Sequence, residues 1–258
     1  DVNGGYVNTS IGLLPSDPNP TTDVPLFDNK SFTYDGVSDY VDLGTNSNLI
    51  FLGARSMSVW LKFTDNGSTR FVANFNSDQQ GMYTNLGKVY FFNRDASFTW
   101  KSIATINTYN DNQWHNFIGI NDGTNLKMYA NGVLVNSNTD GSVGNTNSYI
   151  QRIGARWNGL TAYSGLMNDL SYFDNDQSAN ALTIFNGGVA NDISALSPLG
   201  YWRAEQVTFD GTDWTLIDQG SGGNNGTSVS MPLTARTSDV PLFDNKSFAY
   251  DGIADYVD

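Results

Sequence analysis

Residues 57–64 alternate strictly between two sets of side chains, and the apolar set runs from Met57 to Phe63 at the odd positions. A period of two residues is typical of a β-strand that buries one face. Apolar or aromatic alternation predicts further strands over residues 81–86, 88–93, 98–106, 113–120, 125–130 and 163–173. Asn131-Gly132 then predicts a two-residue type I′ hairpin turn, because both central residues of that turn need positive φ.

One helix interrupts the strand pattern. Asp176 or Ser178 can cap it, and Leu182 and Phe185 share one face at a spacing of three residues. The glycine pair at 187–188 supplies a left-handed stop. The sequence therefore predicts a short helix that ends just before this pair.

One segment of the chain occurs twice. Residues 23–42 return as residues 239–258, which is 216 positions later (239 minus 23). A period of this length is too long for a solenoid repeat and suits one β-sandwich domain. The second copy breaks off at Asp258, before the Leu-Gly that follows Asp42, so we expect a longer chain of tandem domains. The copies differ at three positions, Thr33/Ala249, Val37/Ile253 and Ser38/Ala254.

The composition narrows the class of protein. The 258 residues carry a formal net charge of −13, and the 13 Lys and Arg residues form no run, which disfavours nucleic acid and anionic membranes as partners. Of the 26 acidic residues, 25 are Asp and Glu205 is the single Glu. Asn, Asp, Gly, Ser and Thr fill the linking segments, which predicts many turns and an all-β chain. No apolar stretch approaches the ~20 residues of a membrane helix, and no cysteine is present to form a disulfide.

Seven segments follow one another in this order along a repeat: residues 200–205, 218–227, 31–44, 57–63, 113–117, 126–135 and 165–173. Together they resemble the laminin-G-like, concanavalin-A-like jelly roll in its bacterial or viral tandem-repeat version. The resemblance implies two packed antiparallel sheets, to which this chain adds the one short helix. It also implies frequent Ca²⁺, and roles in glycan binding, adhesion or scaffolding more often than catalysis.

The order of the family's strands also sets the phase of the repeat. It predicts that residues 1–196 form a sandwich lacking its own first strand, with a domain boundary near Pro198. Residues 197–258 would then be the opening strands of the next repeat. We expect them to pack against residues 43–196 of another copy, which would join neighbouring copies head to tail.

The resemblance to the family also suggests a calcium site. Asp169 matches the position in the last long strand where sandwich relatives often hold a structural Ca²⁺, and Asp35, the Gly36 carbonyl and Asp39 are the expected companions. Oxygen ligands of this kind are what Ca²⁺ prefers. The alternative is that Asp35-Gly36 is only a β-turn and that Asp39 is a solvated side chain.

Aromatic side chains are candidates for binding sugar. Trp157 lies in a glycine-containing loop with Tyr163 nearby, and sugar faces stack on such rings. Trp60 and Trp114 lie within predicted strands and are expected to fill the core. The alternative for Trp157 is that it packs against its own sandwich.

Catalysis is not expected. A glycoside hydrolase on this fold needs two carboxyl groups about 5 to 9.5 Å apart, and the Glu-x-Asp-x-Glu strand of the laminarinase-like relatives is missing. Glu205 lies alone on a strand, where the alternation predicts an outward side chain. His115 is the single His, so a multi-His zinc site is excluded and a packed His is favoured over a catalytic triad.

Five Asn residues satisfy the N-glycosylation sequon and are predicted acceptors if the chain is exported by a glycosylating cell. They are Asn8, Asn29, Asn66, Asn225 and Asn245, of which the second and last are one site in two copies.

The sequence therefore favours a non-catalytic structural repeat unit of an extracellular or virion-surface fibre, with neighbouring copies of itself as partners. The alternative is a carbohydrate-binding adhesin or lectin module that acts by avidity. A glycoside hydrolase is the third interpretation.

Overall fold

The computed structural model describes residues 30–45, 49–50, 53–75, 78–142 and 150–241, and it is an all-β fold with one short α-helix. The strands are numbered in chain order. They are β1 (Ser31–Asp35), β2 (Tyr40–Thr45), β3 (Arg55–Lys62), β4 (Arg70–Phe75), β5 (Gln80–Asn85), β6 (Lys88–Arg94), β7 (Trp100–Ala104), β8 (His115–Asn121), β9 (Leu126–Ala130), β10 (Val133–Asn138), β11 (Ile150–Ile153), β12 (Ser164–Phe173), β13 (Gly200–Phe209), β14 (Trp214–Asp218), β15 (Gly226–Val229) and β16 (Arg236–Thr237).

The strands predicted from alternation are confirmed as β3, β5 to β9 and β12. The hairpin turn between β9 and β10 is also confirmed, because Asn131 has a φ of 50° and Gly132 a φ of 75°. The strand pairs β5–β6, β6–β7, β8–β9 and β9–β10 are all antiparallel.

All strands except β1 and β16 follow one hydrogen-bonded path, β10-β9-β8-β3-β12-β13-β14-β15-β2-β11-β4-β5-β6-β7. The path folds back on itself, so that β6 lies across β8 and β7 lies across β9 and β10. β1 pairs with β12 and β16 at the side of this path. The result is the two-layer jelly-roll sandwich that the resemblance predicts.

The core fills the space between the two layers. Phe91 of β6 packs directly on Gly119 of β8, where a Cβ would lie 2.2 Å from the Phe91 ring. Glycine is therefore required at this crossing for the layers to approach. Met57, Val59 and Leu61 of β3 face the same core, as predicted.

The prediction that β3 is half-buried is wrong, because its second face is covered as well. Seven of the eight residues of β3 are buried. Trp60 on that face stacks on Phe185, with ring centroids 5.8 Å apart. Phe185 belongs to the helix, so the helix covers the strand that the alternation left facing solvent. Trp60 is buried as expected, and Trp114 is partly buried and donates to the Asp239 carboxylate at 2.8 Å.

The helix α1 (Ala181–Phe185) is shorter than predicted, because a 3₁₀ turn over Ser178–Asn180 precedes it. Ala181 and Ile184 are its buried residues. Leu182 and Phe185 share one face as predicted, because both side chains lie beside Gly132, although Leu182 is 69% exposed. Neither Asp176 nor Ser178 is the N-cap residue of α1, which is Asn180. Asn186 and Gly187 both adopt left-handed conformations at the predicted stop.

Residues 200–229 belong to the same sandwich as the residues before them. β13 pairs with β12, β14 pairs with β13 and β15, and β15 pairs with β2. This corrects the expectation that the strands after Pro198 lack a sheet within this chain. Trp202, Trp214 and Leu216 fill the shared core. The phase of the repeat in a longer chain stays a prediction.

Among the described residues, no helix is both long enough and apolar enough to cross a membrane.

Candidate functional site

Five aromatic rings lie on the outer side of the β4 to β7 layer, and we call them the aromatic face. Strand alternation places them there, because Met82, Val89 and Phe91 of the same strands point into the core. The rings belong to Phe71 on β4, Tyr83 on β5, Tyr90 and Phe92 on β6, and Trp100 on β7.

The rings form two stacked pairs. Tyr83 and Tyr90 lie 4.7 Å apart between centroids at an interplanar angle of 8°, and Phe92 and Trp100 lie 4.3 Å apart at 7°. Trp100 is 37% exposed, whereas Phe92 beneath it is fully buried. Tyr83 joins the two pairs, since its centroid is 6.2 Å from that of Trp100. Trp100 is therefore the outermost ring of a preformed aromatic surface.

The register of the strands produces this arrangement. Tyr83 lies directly opposite Tyr90, and Phe92 lies opposite Gly81. A Cβ at position 81 would lie 2.9 Å from the Phe92 ring, so Gly81 leaves the space that Phe92 occupies. The pairing of these two strands thus sets both stacked pairs at once.

Two arginines border the aromatic face. The guanidinium carbon of Arg94 lies 5.7 Å from the Trp100 ring centroid, and that of Arg156 lies 5.7 Å from the Phe71 centroid. The Asp78 carboxylate fixes Arg156, whose Nε donates at 3.0 Å. Guanidinium groups over aromatic faces are held by the negative ring face, and they leave N–H donors at the edge of an apolar surface.

The Tyr83 hydroxyl stays neutral at physiological pH. Burial and the neighbouring Tyr90 raise the pKa of Tyr83 to about 12, although hydrogen bonds with Ser102 and Trp100 lower it slightly. The aromatic face therefore combines apolar rings with neutral and cationic hydrogen-bonding groups.

Of the two predicted sugar-binding residues, only Trp157 lies at the surface. It is 39% exposed and follows Arg156, so its loop borders the aromatic face. Tyr163 is fully buried, and its ring packs edge-on against Tyr34 at 6.0 Å. The Tyr163 hydroxyl donates to the Leu166 carbonyl at 3.2 Å, which corrects the prediction that its ring can contact a sugar.

The predicted calcium ligands do not converge. Asp35 lies opposite Ser164 in the β1–β12 pair, five residues from Asp169, which is about 16 Å along the strand. The Gly36 carbonyl accepts a hydrogen bond from Arg70 at 2.8 Å. Among the described residues, no group of three or more acidic or His side chains can hold a metal ion. The four predicted residues therefore do not fit one Ca²⁺ site.

The turn interpretation of Asp35 fits the geometry instead. The Asp35 carboxylate accepts hydrogen bonds from the backbone N–H groups of Val37 and Ser38 at 2.7 and 2.9 Å and of Asp39 at 3.1 Å. Burial would raise the pKa of Asp35, but these bonds lower it. Asp39 is buried rather than solvated, and its carboxylate accepts from the Asp35 N–H at 3.0 Å.

The sequence matches a known protein family over more than half of its length. A laminin G family model, described as the concanavalin A-like lectin/glucanases superfamily, matches residues 35–183. The chain belongs to this superfamily. The match covers most strands of the sandwich, including β4 to β7 and therefore the whole aromatic face. No curated protein matches the sequence.

Solved structures align with this superfamily member at low identity. A Bacteroides ovatus protein described provisionally as carbohydrate binding aligns at 14% identity and a TM-score of 0.65, over 84% of this chain and 62% of that chain. A heptameric pentraxin from Limulus polyphemus aligns at 14% identity, a TM-score of 0.45, and 61% and 82% coverage. The botulinum neurotoxin serotype D binding domain aligns at 16% identity, a TM-score of 0.47, and 74% and 54% coverage. The chain thus spans about 62% of the length of the first of these proteins.

Asp169 is a buried acidic residue of β12. It lies at a β-bulge in β12, with a φ of 44°, and the bulge directs its carboxyl group into the protein. Tyr201 donates to it at 3.2 Å, and Arg203 Nε lies 3.6 Å away. Burial raises the pKa of Asp169 to about 8, and Glu205 adds to the effect while Arg203 opposes it.

The raised pKa predicts that stability falls as the pH rises from about 4 to about 8. In this interval folded Asp169 keeps a proton that the unfolded chain, with its ordinary pKa of 3.8, has released. The contribution is fully present below about pH 4 and is lost as the pH passes about 8. Urea unfolding at pH 5 and pH 8.5 should show the decline in wild type. Asp169→Asn should remove most of it, and an equal slope in both proteins would contradict the assignment.

Glu205 is not the outward-facing residue that the alternation predicts. It accepts a hydrogen bond from the Lys30 backbone, its side chain is 13% exposed, and its Oε2 lies 3.7 Å from Arg203 Nη2. Glu205 and Asp169 therefore flank the same guanidinium. The nearby cavity has a volume of about 20 Å³, which is room for one water molecule and not for a sugar.

His115 is held as a structural residue. Its Nε2 lies 3.1 Å from the Asp111 carboxylate, and its Nδ1 lies 3.0 Å from the Asn131 amide nitrogen. Both ring nitrogens thus have partners that fix the β8 to β9 hairpin. This arrangement fits the packed His that the sequence favours.

Two of the predicted sequons lie on the surface of the described residues. Asn66 and Asn225 are exposed, and Asn225 Oδ1 accepts from the Asp218 N–H at 2.9 Å. Asn8, Asn29 and Asn245 lie outside the described residues. Glycosylation of these positions stays a prediction.

No sequence motif marked Tyr83, Tyr90 or Trp100 as functional residues. The sequence feature that could have marked Tyr83 and Tyr90 is an aromatic residue on the strand face opposite the core. They alternate with the apolar residues Met82 and Val89 along predicted strands.

Proposed function

We propose that this chain binds carbohydrate without cleaving it, and that the aromatic face is the binding surface. The observation that carries the proposal is the exposed Trp100 ring, held flat on Phe92 beside the Tyr83–Tyr90 stack. Pyranose rings carry C–H groups on their faces, which pack on aromatic rings while the hydroxyl groups reach polar neighbours.

The surroundings of the face suit such a ligand. Arg94 and Arg156 place hydrogen-bond donors at its two borders, and the loop that carries exposed Trp157 extends it. Because Trp100 already rests on Phe92, little side-chain entropy is lost when a sugar binds. The Bacteroides ovatus protein with the same fold, described provisionally as carbohydrate binding, supports this proposal over a purely structural role.

A binding role is also favoured over catalysis. The superfamily includes glucanases by its description, but Asp169 and Glu205, which lie near each other, share Arg203 inside the protein. A glycosidase needs its two carboxyl groups on either side of a bound sugar. The cavity beside Asp169 excludes a substrate of that size.

A repeat unit of a surface fibre outside the cytoplasm is the second candidate, favoured by the near-identity of residues 23–42 and 239–258. The two functions are compatible, because repeated weak sugar sites along one chain raise the overall avidity.

Affinity electrophoresis tests the proposal. The protein is run through native gels that contain one of a panel of soluble polysaccharides, with a protein of similar charge and size as the reference. We expect at least one polysaccharide to retard the protein without releasing reducing sugar. A panel of β-glucans, galactans, mannans and xylans that causes no retardation would contradict the proposal.

A further inference from the structure

Residues 31–42 contain β1 and the first half of β2, and we call them the closing pair. The positions that they fill in the sandwich are called the slot. β1 lies between β12 and β16, and β2 lies between β15 and β11. The closing pair therefore joins β12 to β16 and β11 to β15. Without it, β15 and β11 would both lose a neighbour.

The closing pair is anchored by buried side chains. Phe32 packs edge-on against Trp214 with centroids 5.6 Å apart, and Tyr34 packs against Tyr163 at 6.0 Å. The Ser31 hydroxyl donates to the Asp239 carbonyl at 2.6 Å. The buried residues of the pair are Ser31, Phe32, Tyr34, Asp39 and Val41.

Every one of these buried side chains recurs in the second copy. The equivalent residues are Ser247, Phe248, Tyr250, Asp255 and Val257. The three positions that differ between the copies are the ones that the slot leaves open to solvent. Thr33 and Val37 are exposed, Val37 to 75%, and Ser38 is half-buried. Over the span of residues 31–42, the slot therefore cannot distinguish the two copies by packing.

We propose that residues 247–258 are an interchangeable occupant of this slot. The chain then carries residues 31–42 twice for one position, and either segment can supply the same buried side chains to the sandwich. In a longer chain of repeats, each strand pair would stand between two sandwiches and could close the one before it or the one after it. Exchange of this kind would join neighbouring units without any new interface.

The second copy starts within reach of the slot. Its first residue, Asp239, is bound by the Lys62 ammonium and the Trp114 indole, beside the start of β1. β16 pairs with β1 through Thr237 opposite Ser31. Nine residues, 238–246, separate Thr237 from Ser247, the equivalent of Ser31. A loop of that length spans the ~5 Å between antiparallel neighbours with ease.

Three full-length variants test the exchange by thermal unfolding, with wild type as the reference. Phe32→Asp with Tyr34→Asp disables the first pair, and Phe248→Asp with Tyr250→Asp disables the second. Because the second pair can replace the first, we expect each double variant to unfold within about 10 °C of wild type. The variant with all four changes should lose more than about 15 °C or fail to fold, since neither pair can then bury its aromatic residues.

Two outcomes would overturn the proposal. One is a Phe32→Asp, Tyr34→Asp variant that is as unstable as the fourfold variant, which would mean that the second copy cannot take the slot. The other is a fourfold variant as stable as wild type, which would mean that the slot needs no occupant.

An engineered disulfide can show which segment occupies the slot, because the natural chain has no cysteine that could form a competing crosslink. Thr33 lies opposite Leu166, so Thr33→Cys with Leu166→Cys should crosslink in the wild-type background. Ala249→Cys with Leu166→Cys should crosslink in the Phe32→Asp, Tyr34→Asp background, within one chain or between two. Intact mass and non-reducing electrophoresis detect either product. Absence of the second crosslink while the first forms would overturn the proposal.

Discussion

Replacing Trp100 by alanine is expected to weaken binding of the polysaccharide that retards the protein in affinity electrophoresis by at least about 30-fold. This corresponds to ~2 kcal/mol of binding free energy, which is the cost of truncating a central aromatic contact. Trp100 is the exposed ring of the face, and its removal also uncovers Phe92, which has no exposure in the native protein. A sugar then loses the outermost ring of the aromatic face. Calorimetric titration of both proteins with an oligosaccharide of the same polymer measures the change.

Two control variants separate sugar stacking from general damage. Trp100→Phe keeps a ring over Phe92 and should retain most of the affinity. Trp157→Ala alters an exposed tryptophan on the bordering loop and should cost less than about 5-fold, under ~1 kcal/mol. Equal affinity of wild type and Trp100→Ala would place the binding surface elsewhere on the protein.

Removing residues 197–258 should abolish folding. The deletion takes away β13 to β16, which lie between β12 and β2 and bury Trp202 and Trp214 in the shared core. Loss of one such side chain costs about 3–5 kcal/mol, so the loss of several exceeds the 5–15 kcal/mol by which domains are stable. Circular dichroism on heating should show no cooperative transition.

The matched control for this truncation removes residues 242–258 alone. That chain keeps every described strand, and its unfolding temperature should lie within about 5 °C of wild type. A stable, cooperatively folded chain of residues 1–196 would contradict the closure of the sandwich by residues 200–229.

The strands were predictable because they bury one face and so imprint a period of two on the sequence. The alternation over residues 57–64 located β3, and Asn131-Gly132 located the turn after β9. The second face of β3 was not predictable in this way. Its burial depends on Phe185 of α1, more than a hundred residues later in the chain, and alternation carries no information about such a cover.

Side-chain roles were harder to predict than strands. Asp169 was expected at a metal site with Asp35, but the β1–β12 register, which no local pattern encodes, separates the two. Glu205 was expected to face outward, but Arg203 and the Lys30 backbone enclose it. The surroundings of each side chain thus depend on strand register, on a bulge that redirects Asp169, or on a contact from a distant part of the chain.

The closure of the sandwich was hidden by the repeat. The order of the family's strands placed residues 200–205 at the start of a domain, and the duplicated segment made a following repeat the natural partner. Because residues 31–42 and 247–258 carry the same buried side chains, the sequence is consistent with either partner. Only the pairing of β13 with β12 and of β15 with β2 shows which one this chain uses.

Sugar binding on the aromatic face can be observed residue by residue through the six tryptophan indole N–H signals of ¹⁵N-labelled protein during an oligosaccharide titration. We expect the Trp100 signal to shift most. The signals of Trp202 and Trp214, which are buried in the core, should stay unchanged. A titration in which Trp100 does not respond while another indole signal does would contradict binding at this face.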